Sequence, residues 1–289
     1  MIDATLFYNP VAGRSPLSPK RLNSLLEKLL SAGIRCEPVM SEPGCPSAAP
    51  SLDLRNKELL LVYGGDGTIH QAIQHVAAHP VRMGLLPAGT ANVLARELGI
   101  PLDADRAIDV IARGCARRIY LGQSEGRYFH LMAGVGLDAY IIQAVGPRLK
   151  KALGVGDYWV AGLLAFRRYP LTEFEIELDG RCYTGTFAVI ANARSYGGGL
   201  RIAAHADLGD PCLDVCLFTS RQKPRFFRYL SAAFKGTHVC YPDVVYRKAS
   251  SVRVLGPSLP VQMDGEVVGQ LPASLSVWKP GLEIYAPER

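Results

Sequence analysis

The chain has 289 residues, 48% hydrophobic and 20% charged, with a formal charge of +6 and a pI of about 8.9. That composition excludes a disordered or collagen-like chain, and the length suffices for two domains with sizeable cores. The longest apolar run, Tyr158–Phe166, is far short of the ~20 residues of a membrane-spanning helix. The mild basicity suits an anionic partner without choosing one.

Ala4–Tyr8 reads as a strand ending in Asn9-Pro10. Ser18 then caps a helix with Pro19 at its first position; Leu22, Leu25, Leu26, Leu29 and Leu30 keep helical period and Gly33 closes it. Ile34–Met40 is a second strand, and Cys45–Asn56 is irregular. Glu58–Tyr63 and Arg82–Leu86 are further strands, with helices over Thr68–Ala78, Thr90–Leu98 and Ala104–Arg113. A β-α-β-α-β order implies a largely parallel sheet, whose ligands bind beyond the carboxyl ends of the strands. From about Ile119 short alternating runs separated by turn residues replace this pattern: Tyr128–Leu131, Glu173–Leu178, Phe187–Ala191, Leu213–Phe218, Ser251–Leu255, Val261–Met263 and Leu275–Trp278. Two helical stretches, near Leu149–Tyr169 and Lys223–Lys235, interrupt them. The expected fold class is α/β plus β: residues 1–118 form a parallel-sheet nucleotide domain, and 119–289 a mainly antiparallel β domain.

The glycine loops carry the chemistry. In LLLVYGGDGT (Leu59–Thr68) a strand runs through glycines into a helix, an arrangement that presents backbone N–H groups to a phosphate. Asp66 would repel phosphates unless a divalent cation lay between, so the loop points to a magnesium–nucleotide site. A tight Asp-Gly turn between strands is the competing reading; the helical spacing of Ile69, Ala72, Ile73 and Val76 argues against it. In LLPAGTANVL (Leu85–Leu94) Thr90 is the expected helix cap, and Thr90 and Asn92 can donate to phosphate oxygens. That segment alone reads equally as an ordinary capped helix. The seven cysteines are scattered without zinc spacing and read as reduced thiols. His70, His75 and His79 fall along one helix, on its solvated side. The N-terminal MIDATLFYNP has no basic leader, so a cytoplasmic location is expected.

Asn9-Pro10…Gly13, GGDGT and LPAGTAN, followed by AGVGLDA (Ala133–Ala139), YGGG (Tyr196–Gly199), ADLGDPCLD (Ala206–Asp214) and QMDGE (Gln262–Glu266), occur in this order along nearly the whole chain. In this it resembles the diacylglycerol kinase catalytic-domain family of lipid kinases. The resemblance implies a β-sandwich second domain, an active site in the cleft between the domains, and transfer of the γ-phosphoryl group of Mg·ATP to a lipid hydroxyl. It implies that Asn9, Pro10, Val11, Ala12, Gly13, Ser41, Gly64, Gly65, Asp66, Gly67, Thr68, Ile69, His70, Gln71, Thr90 and Asn92 line the ATP site. Asp66 would help position Mg2+ and the phosphates, and Glu266 would be the general base. Asp207, Asp210 and the carbonyl of Cys212 would hold a magnesium ion. A plain hairpin turn at Asp264–Glu266 and a solvated acidic loop at 207–212 are the alternatives; a hairpin tip can also project a base.

Two departures from the family pattern stand out: Gln71 in place of a glutamate, and Pro211 in place of a glycine. Asp138 is open between a cleft residue and a polar residue at a strand–helix junction. An NAD kinase, which shares GGDGT, and a catalytically silent binding protein are the alternatives to a lipid kinase. The expected partners are a nucleotide and a lipid at a membrane surface, with peripheral membrane association. Nucleic acid is not expected, and a homodimer is left open. Basic residues beside aromatics in Pro147–Tyr169 and Arg221–Lys235 suit an interfacial helix, and equally a helix with a buried aromatic side and a solvated basic one.

Overall fold

The computed structural model describes residues 1–13, 16–41, 52–76, 79, 81–152, 162, 164–196 and 199–288. The chain forms two compact units, Met1–Tyr120 with Pro280–Arg289, and Leu121–Lys279. This differs from the expected 118/119 division chiefly at the C terminus. The last strand, β16 (Ala273–Tyr285), begins in the second unit and ends in the first, where Ile284 pairs with Met83.

The first unit runs β1 (Ile2–Tyr8), α1 (Pro19–Ser31), β2 (Ile34–Met40), β3 (Leu59–Gly64), α2 (Asp66–Val76), β4 (Arg82–Pro87), α3 (Val93–Glu97) and α4 (Ala104–Ala112). Helix α1 starts as its sequence dictates: the Ser18 hydroxyl accepts the N–H of Arg21 at 3.4 Å, and Pro19 opens the helix. Strands pair in parallel in the order β2-β1-β3-β4, with the end of β16 beside β4. Leu59–Val62 and Met83–Pro87 are buried without alternation, as in parallel strands covered on both faces. From β1 the chain goes first to one neighbour, β2, and then to the other, β3. The switch point, with its crevice beyond the carboxyl ends, lies between β1 and β3.

The second unit contains most of β5 (Ala116–Ser124), then β6 (Arg127–Phe129), β7 (Met132–Val135), α5 (Leu137–Ala152), β8 (Phe174–Leu178), β9 (Arg181–Gly185), β10 (Phe187–Ala191), β11 (Leu213–Phe218), α6 (Lys223–Ala233), β12 (Val244–Ala249), β13 (Ser251–Leu255), β14 (Pro260–Met263) and β15 (Glu266–Gln270). One antiparallel sheet has the order β12-β11-β10-β7-β14-β15; in the other, the start of β16 pairs with β13, followed by β8 and β9. Strands β5, β7, β9, β12 and β15 fall outside the runs read from the sequence, and β9, β12 and β15 are sheet edges. Edge strands tolerate polar residues on both faces, so RCYTG and EVVGQ lack the apolar alternation of a half-buried strand. Much of the expected helix near 149–169, with Tyr158 and Trp159, lies outside the described residues, as do residues 45–51 of the expected irregular segment.

Candidate active site

Three loops leave the carboxyl ends of β1, β3 and β4. The first is folded by Asn9, whose Oδ1 accepts the N–H of Val11 at 3.0 Å while its carbonyl accepts that of Ala12. It ends at Gly13, with φ +70°, where a Cβ would lie 2.2 Å from the carbonyl oxygen of Ala88. The second passes through Gly65 into α2, whose first turn is closed by the N–H groups of Thr68 and Ile69 donating to the Gly65 carbonyl. A Cβ on Gly89 in the third loop would lie 2.4 Å from Gly65 Cα. The loops therefore meet backbone to backbone, a distance only glycine allows.

Two side chains staple this arrangement. Asn92 adopts a left-handed conformation (φ 48°), which asparagine tolerates. Its side-chain amide exchanges two hydrogen bonds with Gly89, both 2.9 Å, and so closes the third loop. Asp66 Oδ1 accepts the N–H of Leu94 at 3.1 Å, capping α3 from the neighbouring loop. The sequence expectations change here. Helix α3 starts at Val93 with Asn92 before it, so Thr90 is an exposed loop residue and not the cap. The Asn92 amide is committed to Gly89, so this residue shapes the loop. Of the other expected nucleotide residues, Ser41 is buried with its N–H donating to the Tyr8 carbonyl, Ala12, Gly64, Thr68 and Ile69 are buried, and Pro10, Gly67 and Gln71 lie in the loop and first turns. Val11 is exposed. His70, expected on the solvated side of α2, is buried, because Thr68, Ile69, Ala72, Ile73 and Val76 turn the same broad face inward.

In the second unit Asp264-Gly265 joins β14 to β15 as a two-residue hairpin, with φ 48° and 86°, the conformation for which Asp-Gly is suited. The Asp264 carboxylate is fully buried and accepts the N–H groups of His130, Leu131 and Met132 at 2.9, 2.9 and 3.1 Å, with His130 Nδ1 at 2.7 Å. Gln262 bridges two groups: its Oε1 accepts the Gly265 N–H at 2.8 Å and its Nε2 donates to Asp138 Oδ2 at 2.9 Å. Asp138 sits in the first turn of α5, at the strand–helix junction, and its other oxygen accepts the Ala139 N–H at 2.7 Å. Removal from water pushes its pKa up to about 7, against the pull of these hydrogen bonds. Glu266, the first residue of β15, is half-buried directly beyond this clamped turn. No sequence signal ties His130 to Asp264, because 133 intervening residues separate them along the chain.

The acidic loop is turned by Asp207, whose Oδ1 accepts the Gly209 N–H and whose carbonyl accepts the Asp210 N–H, both 2.9 Å. Pro211 follows this turn without interrupting it. Lys248 pairs with Asp210, and Arg194 Nη2 lies 4.0 Å from Asp207 Oδ2. Two carboxylates and the nearby Cys212 carbonyl are oxygen donors of the kind a hard cation takes. Such a cation would compete with the Lys248 ammonium for Asp210.

Residues 3–124 match the sequence model of the diacylglycerol kinase catalytic domain, and residues 132–286 match the YegS C-terminal NAD kinase beta sandwich-like domain. A diacylglycerol kinase of Bacillus subtilis (strain 168) is 32% identical over 277 residues, 93% of this chain and 91% of its own length. One from Staphylococcus carnosus (strain TM300) is 28% identical over 292 residues, 99% of this chain and 95% of its own. The crystal structure of a diacylglycerol kinase from Bacillus anthracis str. Sterne shares the fold, with a TM-score of 0.77 at 21% identity over 99% of this chain and 97% of that one. This chain belongs to the diacylglycerol kinase catalytic-domain family. It is by that membership an enzyme of the lipid kinase class, a phosphotransferase.

Proposed function

We propose that the protein transfers the γ-phosphoryl group of Mg·ATP to the hydroxyl of a membrane lipid, with diacylglycerol the first acceptor to test. The observation that carries this reading is the backbone-to-backbone meeting of the Gly13, Gly65 and Gly89 loops beyond β1, β3 and β4. The loop amides not already spent on closing these turns, with the Asp66 and Gly67 N–H groups at the start of α2, are the donors assigned to the phosphates. Asp66 is assigned to the cation that when bound neutralises charge on the phosphates; Asp207, Asp210 and the Cys212 carbonyl are assigned to a second magnesium ion. Glu266 takes the proton of the lipid hydroxyl as its oxygen forms a bond to the γ-phosphorus. The bond from that phosphorus to the β–γ bridging oxygen breaks, ADP leaves, and the proton passes from Glu266 to water.

The test is labelled-ATP turnover against diacylglycerol, sphingosine, ceramide and phosphatidylglycerol in mixed micelles, with NAD as a soluble acceptor. Glu266→Gln keeps the size of the side chain and cannot take the proton; turnover is expected to fall by about 10²–10⁴ with nucleotide affinity and Tm unchanged. The exposed Glu27→Gln on α1 is the neutral control. A labelled NAD product without a labelled lipid, or normal turnover in Glu266→Gln, would sink the proposal.

A further inference from the structure

Helix α6 has two apolar faces where a surface helix normally has one. Its inner face carries Phe226, Tyr229, Ala232 and Ala233, all buried. Phe226 and Tyr229 pack on Phe218 of β11 with ring centroids 6.3 and 4.9 Å apart. Its outer face presents Phe227, 53% exposed, and Leu230; Phe234 follows at the C-cap, 50% exposed. Spaced at i, i+3 and i+7, these three share one stripe. Residues 164–168 lie alongside: Phe166 is buried with its ring 5.7 Å from that of Phe227, and Lys223 Nζ donates to the Arg167 carbonyl at 2.6 Å. Leu164 beside them is 61% exposed. Phe227 and Phe234 are the aromatic members of the large exposed apolar side chains among the described residues; the others are Leu, Val and Met.

The segments that carry this stripe are basic. Neither 162–172 nor 219–242 contains an Asp or Glu. Arg221 and Arg225 are paired with Glu173 and Asp243, which flank these segments. Arg167, Arg168, Arg228 and Lys235 remain exposed and form no ion pair with a described residue. Arg225 is already engaged: its guanidinium bonds Asp243, which also accepts from the Tyr229 hydroxyl.

We propose that the outer face of α6, with Leu164 and Arg167–Arg168 beside it, is the surface by which this protein docks on an anionic lipid bilayer. Two phenylalanines and leucines at the centre suit the boundary of headgroups and acyl chains, and the four exposed cations that form no ion pair with a described residue suit anionic headgroups. The proposal deepens the lipid-kinase reading by assigning where the enzyme meets its substrate's membrane.

The experiment is flotation of the full chain with vesicles of phosphatidylcholine alone and of phosphatidylcholine with phosphatidylglycerol. Binding is expected only to the second, and to weaken with salt. Arg228→Glu/Lys235→Glu should weaken it by about 25-fold, roughly fivefold per charge. Phe227→Ser/Phe234→Ser should weaken it by at least about tenfold, since each ring removes apolar area from the interface. Leu30→Ser, an exposed leucine on α1, should leave binding unchanged. All three variants should keep the wild-type Tm and wild-type turnover on a short-chain, water-soluble diacylglycerol. Wild-type protein that ignores anionic vesicles, or variants that bind them normally, would overturn the proposal. So would a wild-type dimer that Phe227→Ser/Phe234→Ser converts to monomer, which would assign the face to a second copy. Wild type that binds vesicles yet phosphorylates no lipid supports the docking face and refutes only the kinase reading.

Discussion

The glycine loops of the first unit and the Asp264-Gly265 hairpin of the second solve one problem, holding a short loop still, by opposite means. The loops are held by absence. Gly65 and Gly89 approach each other backbone to backbone because neither has a Cβ, and Gly13 approaches Ala88 in the same way. The hairpin is held by side chains. Asp264 gathers three backbone N–H groups, and Gln262 links Gly265 to Asp138. Loops that meet backbone to backbone need steric room, so glycine serves the first region. A turn that presents one side chain needs a fixed direction, and charge-assisted hydrogen bonds to rigid strands provide it.

The comparison is broken most severely in the first region. Gly89→Ala adds one methyl where 2.4 Å is available against Gly65 Cα, so the loops must part. Nucleotide affinity should fall by at least about tenfold, as roughly 1.4 kcal/mol of lost binding already does. Titration calorimetry with Mg·ATP measures this, and circular dichroism should show the fold retained.

In the second region Asp264→Asn keeps a residue that accepts the left-handed turn and removes the charge that three amides share. A lost charged hydrogen bond costs about 1.5–3 kcal/mol, so Tm should drop by several degrees and turnover should fall with it. Nucleotide affinity should stay at the wild-type value, and a change in it would show that the two regions are not held independently.

A pH dependence sharpens the comparison further. Burial raises the Asp138 pKa from 3.8 to about 7, so the folded protein holds a proton there that the unfolded chain releases near pH 4. Folding is therefore progressively penalised as the pH rises through that window, and the full cost is present above pH 7. Asp138→Asn cannot ionise and keeps an oxygen for the Gln262 amide. Its Tm should exceed that of wild type at pH 8 and match it at pH 4; equal differences at both would remove the titration.

Much of the first unit was legible because local signals coincide with the fold. Ser18-Pro19 and Gly33 bound α1, and the apolar run Leu59–Val62 followed by glycines marks a buried parallel strand and its loop. Helix α3 was misplaced because its cap comes from Asp66 and from Asn92 in a left-handed conformation, and neither resembles the Thr90 signal. His70 was misjudged because α2 buries a wider face than an amphipathic stripe.

What the sequence determined by itself was the class of protein: ordered motifs, the alternation of strands and helices, and the glycines whose lack of a side chain lets the loops meet. What only the tertiary structure decided was which polar groups are already engaged. Asn92 is tied to Gly89, Asp66 to Leu94, Asp210 to Lys248, Arg225 to Asp243 and Asp264 to His130–Met132. One of these pairings, Asn92 with Gly89, lies within a few residues along the chain, and the other four are brought close only by folding. Composition and spacing carry no record of such pairings, because a hydrogen bond depends on distance in space and the chain specifies that only through the packing of its whole core.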